Sequence, residues 1–173
     1  HGMSNDLDDV LESARLLVNE KNIPMVFLGD GKEQPASQAR AAEMKLSNVS
    51  FLPSIPKSEM PIALAGADVC IAILKPIDEY KTTYPNKVFD YMAAGRPVAL
   101  VIDGAIRKVV DDAQCGIFSQ PGNAMELANA IRQFAANPAQ SRAMGMRGRK
   151  YLEEHFSRAV LLDALAMLLE EMG

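Results

Sequence analysis

Tyr84-Pro85-Asn86-Lys87-Val88-Phe89-Asp90-Tyr91-Met92-Ala93-Ala94-Gly95-Arg96-Pro97-Val98 is the stretch on which the reading of this chain turns. Turn residues lead into one short amphipathic helix, Asn86 to Ala94. Gly95 ends that helix, and Arg96-Pro97 hands the chain to an apolar strand, Val98 to Ile102. Upstream, Asp68 to Leu74 reads as another strand and Lys75 to Thr83 as a loop. A helix between two parallel strands starts at the carboxyl end of the first, in the crevice where open parallel sheets bind ligands. Its first turn offers free N–H groups and a positive dipole end, which suits a phosphate. Asp90, one turn further in, is placed to accept hydrogen bonds from ribose hydroxyls. An anion cradle with a carboxylate behind it reads as a nucleotide site. The competing reading is an ordinary helix capped by Asn86, with Asp90 solvated.

The flanking sequence repeats the same alternation. Leu7, Val10, Leu11, Ala14, Leu17 and Val18 recur at helical spacing, and Ile23 to Leu28 reads as a buried strand closed by Gly29-Asp30-Gly31. A helix from Pro35 to Leu46, a strand from Val49 to Leu52 and a short helix from Lys57 to Ala65 follow. Beyond the central run come a helix at 105–113, a short strand from Gly116 to Ser119, and helices near 123–135, 138–154 and 157–171. Strands that alternate with helices and are apolar on both faces predict a doubly wound parallel sheet, an α/β fold in one domain over residues 1–173.

Composition narrows the classes. Apolar residues make up 49% and charged residues 23%, which fits a globular chain and excludes a disordered one. No apolar run reaches the roughly 20 residues needed to span a bilayer. A net charge of −4 argues against a general nucleic-acid binder, because neutralising phosphates needs a basic face. Cys70 and Cys115 lie far apart in no metal-ligand spacing and read as buried thiols of a reducing cytoplasm. With His1 and His155 as the only histidines, no metal site is expected.

The chain opens with His1-Gly2-Met3-Ser4-Asn5-Asp6 and then a helix. The glycine loop that follows the central first strand of such a sheet is present, but the strand is not. The expectation is that residues ahead of His1 supply it, making the chain a piece of a longer protein. The alternative is a His-Gly cloning scar before Met3.

Over essentially its whole length the sequence resembles the donor-binding C-terminal domain of family 4 (group 1) retaining glycosyltransferases of GT-B fold, most of all bacterial O-antigen and capsule enzymes of N-acetylfucosamine type. The resemblance rests on His1-Gly2-Met3, Phe27 to Gly31, Val49 to Pro53, Ala67-Asp68-Val69, Pro85 to Val98, Gly116-Ile117 and His155-Phe156-Ser157. It implies a Rossmann-like half that binds a nucleotide-sugar, most simply a UDP-sugar, as substrate. No cofactor is implied, and usually no metal. The partners implied are an N-terminal half and a saccharide or lipid-linked acceptor, with any attachment to the inner membrane left to that other half. By position, Asp90 falls on the second acid of the family's paired-acid motif, which binds the ribose. Thr83, Tyr84 and Pro85 fall on the loop meeting the sugar and diphosphate, and Asn86 and Lys87 face the phosphates. Phe51, Leu52 and Pro53 fall where backbone groups meet the base. Gly2 belongs to the loop under the donor, and Gly31 to the turn after the first visible strand.

Three departures from the family pattern stand out. The first acid of the pair should stand at Thr82, and Asp78 and Glu79 are out of register. The Lys expected near the first loop is Asn5, so Lys75, Lys81 or Lys87 is expected to take over its charge. The acceptor-side catalytic groups belong to the other half, so catalytic residues are unknown here and the chain alone is expected to transfer little.

Other readings compete. Gly29-Asp30-Gly31 lacks the full dinucleotide glycine spacing and reads as a tight turn. Lys75-Pro76 resembles the strand end of a receiver domain, whose early acidic pair is not matched by Asp8-Asp9 in a helix. Arg142, Arg147, Arg149 and Lys150 with Met144 and Met146 suggest either a membrane-facing surface or a solvated helix with methionine packing. For the whole, the rivals are half of a sugar-nucleotide 2-epimerase and a non-catalytic α/β binding or interaction module.

Overall fold

The computed structural model describes residues 5–157, together with Val160, Leu162 and Met167. Gly2 and most of the helix expected at 157–171 lie outside the described residues. The elements alternate: α1 (Leu7–Leu16), β1 (Met25–Leu28), α2 (Gln34–Glu43), β2 (Val49–Leu52), α3 (Met60–Ala65), β3 (Cys70–Ile73) and α4 (Asn86–Ala93). Then follow β4 (Val98–Val101), α5 (Ala105–Asp112), β5 (Gly116–Phe118), α6 (Ala124–Ala136) and α7 (Pro138–His155). Two expected segments differ in detail. Pro61 is tolerated only in a helix's first turn, so α3 starts at Met60 and Lys57–Glu59 forms a separate 3-10 turn. The expected loop before Thr83 holds another 3-10 turn, Asp78–Thr82.

Every strand pair is parallel: Met25 stands opposite Val49, Cys70 opposite Val98, and Val98 opposite Gly116. The strands form two sheets, β1-β2 and β3-β4-β5, where the sequence predicts one. The doubly wound order puts the first strand at the centre, and among the described residues no strand joins β1 to β3. The open edge of β3 is served from α4 instead. Cys70 N–H donates to Pro97 at 3.0 Å, so the backbone groups of Ile71 and Ile73 turn to the opposite edge. There Lys87 Nζ donates to the Ile73 carbonyl at 3.1 Å and the Tyr91 hydroxyl to that of Ile71 at 3.4 Å. Side chains thus satisfy carbonyls that a neighbouring strand would otherwise pair.

β4 shows why the wrapping is two-sided. All four of its residues are buried, and their alternation sends them to different layers. Ala99 and Val101 join Val10, Leu11, Leu127 and Ile131 under α1 and α6. Val98 and Leu100 join Val88, Met92, Ile106 and Val110 under α4 and α5. Each fully buried Leu or Ile contributes about 1.5–3 kcal/mol. β2 departs from the expectation, because Ser50 and Leu52 of this edge strand are exposed.

The far end of α4 is fixed by backbone geometry. Gly95 adopts φ 65, with its N–H on Met92 and that of Arg96 on Tyr91, both at 2.9 Å, the double bond of a Schellman cap. α7 presses on this cap through a glycine: a Cβ on Gly145 would lie 2.1 Å from the Gly95 carbonyl oxygen. The basic stretch of α7 is a solvated face, with Arg149 on Glu153 at 2.9 Å and Lys150 on Glu154 at 3.7 Å, while Met144 packs against the core. Gly145→Ala is expected to cost about 1–3 kcal/mol by forcing α7 off the cap. In urea denaturation Gly66→Ala, whose nearest neighbour is at 3.4 Å, should stay within about 0.5 kcal/mol of the parent.

Candidate functional site

Parallel strands deliver their following loops to one edge. Lys75, just past β3, pairs with Glu33, just past β1, at 3.6 Å, so the carboxyl ends of the two sheets lie side by side. α4 begins at this edge. Its N-cap is Pro85 and Asn86 is the first helical residue, as the helix read from Asn86 requires, so the competing reading of Asn86 as the cap does not hold. Among the described residues no side chain caps α4, so its first N–H groups face the crevice without a side-chain acceptor. Asp90, one turn in, is exposed: its backbone carbonyl accepts from Ala94 N–H at 3.0 Å, and its carboxylate bonds to no described residue.

Of the three lysines named for this edge, Lys87 is the one with no carboxylate bonded to it among the described residues. Lys75 is engaged by Glu33, and Lys81 by Asp78 at 2.8 Å. Lys87 Nζ instead donates to Asn5 Oδ1 at 2.6 Å, the position to which the resemblance assigns a Lys. Burial with neutral acceptors lowers its ammonium to about 8. Asp78 is out of register, as expected, and its side chain lies in solvent.

Thr82 and Thr83 are exposed, and both hydroxyls return to the Glu79 carbonyl, at 3.4 and 3.3 Å. Tyr84 is exposed, its ring 6.4 Å from that of Phe89. Phe51 stacks on Phe27 at 4.9 Å, so its side chain serves the core. The Leu52 carbonyl accepts from Gly29 N–H at 3.1 Å, and Pro53 has no N–H to offer. Gly29-Asp30-Gly31 is a turn: Gly29 has φ 116, the Gly31 carbonyl accepts from Gln34 at 3.0 Å, and Asp30 holds Ser54. The structure therefore gathers Thr82 to Lys87 and Asp90 around the start of α4, and places Phe51 to Pro53 with Gly31 on the β1-β2 sheet. A cleft of about 320 Å³ lies between α2 and β2, lined by Lys45, Val49 and Phe51 among others and by no residue of α4.

Sequence reasoning missed three residues at or near this edge. Asn5 carries no signal beyond its departure from the family pattern. Asp9 sits in α1 with Oδ2 buried and unpartnered among the described residues, and burial, then Asp6, push its carboxyl up. Gly104 was findable, because Asp103-Gly104 directly follows an apolar strand. Cys70 and Cys115 are free and buried, and burial raises both thiols to about 11. Among the described residues no His, Cys, Asp and Glu cluster could hold a metal, and no helix is long and apolar enough to cross a membrane.

A parallel α/β unit with an uncapped helix start at its carboxyl edge is the architecture in which open parallel sheets bind ligands. A family model described as "Glycosyl transferases group 1" matches residues 3–137, and the chain belongs to that family. A curated relative, 2-deoxystreptamine glucosyltransferase of Streptomyces kanamyceticus, is 26% identical over 137 residues, covering 79% of this chain and 34% of that protein. Among solved structures, Anabaena HepE in complex with UDP matches with a TM-score of 0.82 at 16% identity, over 96% of this chain and 45% of HepE. WaaG, a glycosyltransferase involved in lipopolysaccharide biosynthesis, matches with a TM-score of 0.74 at 18% identity, over 93% of this chain and 42% of WaaG. These likenesses show the GT-B C-terminal fold, and the chain spans less than half the length of each of these proteins.

Lys87 makes stability depend on pH. Its folded value of about 8 lies below the usual 10.5, so the unfolded chain binds the extra proton between them. The burial cost is complete below about 8 and absent above about 10.5. Stability should therefore rise with pH across that window, and Lys87→Met should flatten the rise in urea denaturation at pH 7.5, 9 and 10.

Proposed function

We propose that this chain is the donor-binding half of a retaining glycosyltransferase that takes a UDP-sugar for bacterial polysaccharide or lipopolysaccharide assembly. One observation carries the reading: α4 opens uncapped onto the carboxyl edge, with Lys87 in its first turn and, one turn behind, an Asp90 carboxylate bonded to no described residue. In this reading the helix N–H groups and Lys87 take the diphosphate, and Asp90 takes the ribose hydroxyls. Their chemical task is to stabilise charge on the leaving diphosphate as the glycosidic bond of the donor breaks. Thr82 to Pro85 line the sugar side, and Phe51 to Pro53 flank the base.

HepE was solved with UDP and with UDP-glucose, which supports the choice of uridine. The order of the sequence motifs supports likeness to bacterial O-antigen and capsule transferases of N-acetylfucosamine type. The reading takes in an N-terminal half carrying the acceptor site, a saccharide or lipid-linked acceptor, and no metal or cofactor. It places the protein in the cytoplasm, with inner-membrane attachment through the other half. The epimerase reading lacks support at the crevice: His155, the one histidine described, ends α7 and packs against Tyr151 at 4.2 Å.

Calorimetric titration with UDP, uridine, GDP, ADP and NAD tests the reading. Selective UDP binding is expected, and silence toward all nucleotides would favour an interaction module. Asp90→Ala should weaken UDP and uridine alike, by about tenfold, with the fold intact. Lys87→Ala should weaken UDP about tenfold and uridine little. The UDP affinity of the parent should also fall as pH rises through about 8, where Lys87 gives up its proton. Equal losses of both ligands in Lys87→Ala would remove that residue from the phosphates.

A further inference from the structure

We propose that Gly104 is a positioning residue for the donor sugar: its bare Cα lets the β4–α5 turn press on the Lys81 backbone and so sets where Thr82 and Thr83 stand. This rests on the proposed function, in which that loop meets the sugar. Gly104 has φ 105, and a Cβ there would lie 2.1 Å from the Lys81 carbonyl oxygen and 2.6 Å from both its carbonyl carbon and its Cα. Those are main-chain atoms, which cannot swing aside as a side-chain tip does. The contrast with other glycines isolates the effect. Gly29 at φ 116 and Gly122 at φ 78 share the left-handed backbone, yet a Cβ on either would meet nothing within 4 Å. Among the described left-handed glycines, Gly104 is the one where main-chain atoms fill the space a methyl would take.

Both sides of this contact are anchored. On the turn, Asp103 accepts from Gly104 N–H at 2.9 Å and from Arg107 at 3.3 Å. The Arg107 guanidinium lies 3.8 Å over the Phe118 ring, which ties the turn to β5. On the loop, Lys81 pairs with Asp78, and both threonine hydroxyls return to Glu79. Asp78 first, and Asp103 after it, hold the Lys81 ammonium above its usual range, a charge link between loop and turn. A short hydrogen-bonded turn pushed at Lys81 moves its next two residues with it. Relieving a 2.1 Å approach to ordinary contact displaces the loop by more than about an ångström, a misplacement that can cost on the order of a hundredfold at a reacting centre.

The test compares the parent chain, Gly104→Ala, Gly122→Ala and Asp103→Asn by calorimetry. The ligands are UDP and whichever of UDP-glucose and UDP-N-acetylglucosamine the parent binds more tightly. Gly104→Ala should keep UDP affinity within about threefold and lose about tenfold in the ratio of sugar-nucleotide to UDP affinity. Gly122→Ala, strained in backbone but not crowded, should keep the parent ratio. Asp103→Asn, which loosens the turn without a clash, should lower the ratio two- to threefold, about 0.4–0.7 kcal/mol, and serves if Gly104→Ala does not fold. An unchanged ratio in both folded variants overturns the inference while leaving nucleotide binding intact. Failure of the parent to bind any uridine nucleotide overturns the functional reading, and the inference with it.

Discussion

Parallel pairing of β3 with β4 is the constraint from which the site follows. With Cys70 opposite Val98, the chain leaving Ile73 must return to the opposite edge before it can pair again. It does so through α4, whose N-terminus is thereby delivered to the carboxyl edge. The two ends of that helix are treated differently. At Gly95 the carbonyls are closed by a Schellman cap and covered by α7 at Gly145. At Asn86 the N–H groups meet no capping side chain among the described residues. The packed end fixes the helix, and the open end is left to bind.

The charges of the crevice divide in the same way. Lys75 and Lys81 are neutralised by Glu33 and Asp78, and solvent screens exposed pairs of this kind so that they add little to stability. Lys87 is held by neutral oxygens of Asn5 and Ile73 with no carboxylate bonded to it, and burial disfavours its charge. An anion arriving there supplies what the fold withholds. That is why the same lysine costs stability in the empty chain and favours a diphosphate in the proposed complex.

The divided sheet bears on this site. Alternation along β3 turns Ile71 and Ile73 toward an edge on which no described strand lies. Tyr91 and Lys87 reach that edge because they stand four apart on α4, one helical turn, and so share its face. Burial raises the Tyr91 hydroxyl well above its usual range, so it stays protonated and donates. The helix that opens onto the candidate site thus also closes the strand edge, and Lys87 stands at both.

How much of this was legible depends on the range of the interaction. The start and end of α4, the strand at Val98 and the glycine turn at Gly29 are written in local patterns, because helix periodicity, apolar runs and left-handed glycines act over a few residues. The position of Asp90 one turn inside α4 follows from the same local rule. The competing reading, a cap at Asn86, fails because Pro85 fits the extended N-cap conformation, with φ −65 and ψ 121, and the helix begins one residue earlier than a cap at Asn86 requires. The choice of Lys87 over Lys75 and Lys81 was not legible, since it is made by Glu33 and Asn5 reaching across the edge from α2 and α1. Nor was the contact between Gly104 and Lys81, 23 residues apart in sequence. By itself the sequence determined the alternating α/β order and the helix that faces the crevice, because those rest on periodicity and backbone stereochemistry. Only the tertiary structure decided which cation remains for an anion, which carbonyls α4 must serve and how closely the loops approach. Those depend on distances between segments that share no local pattern.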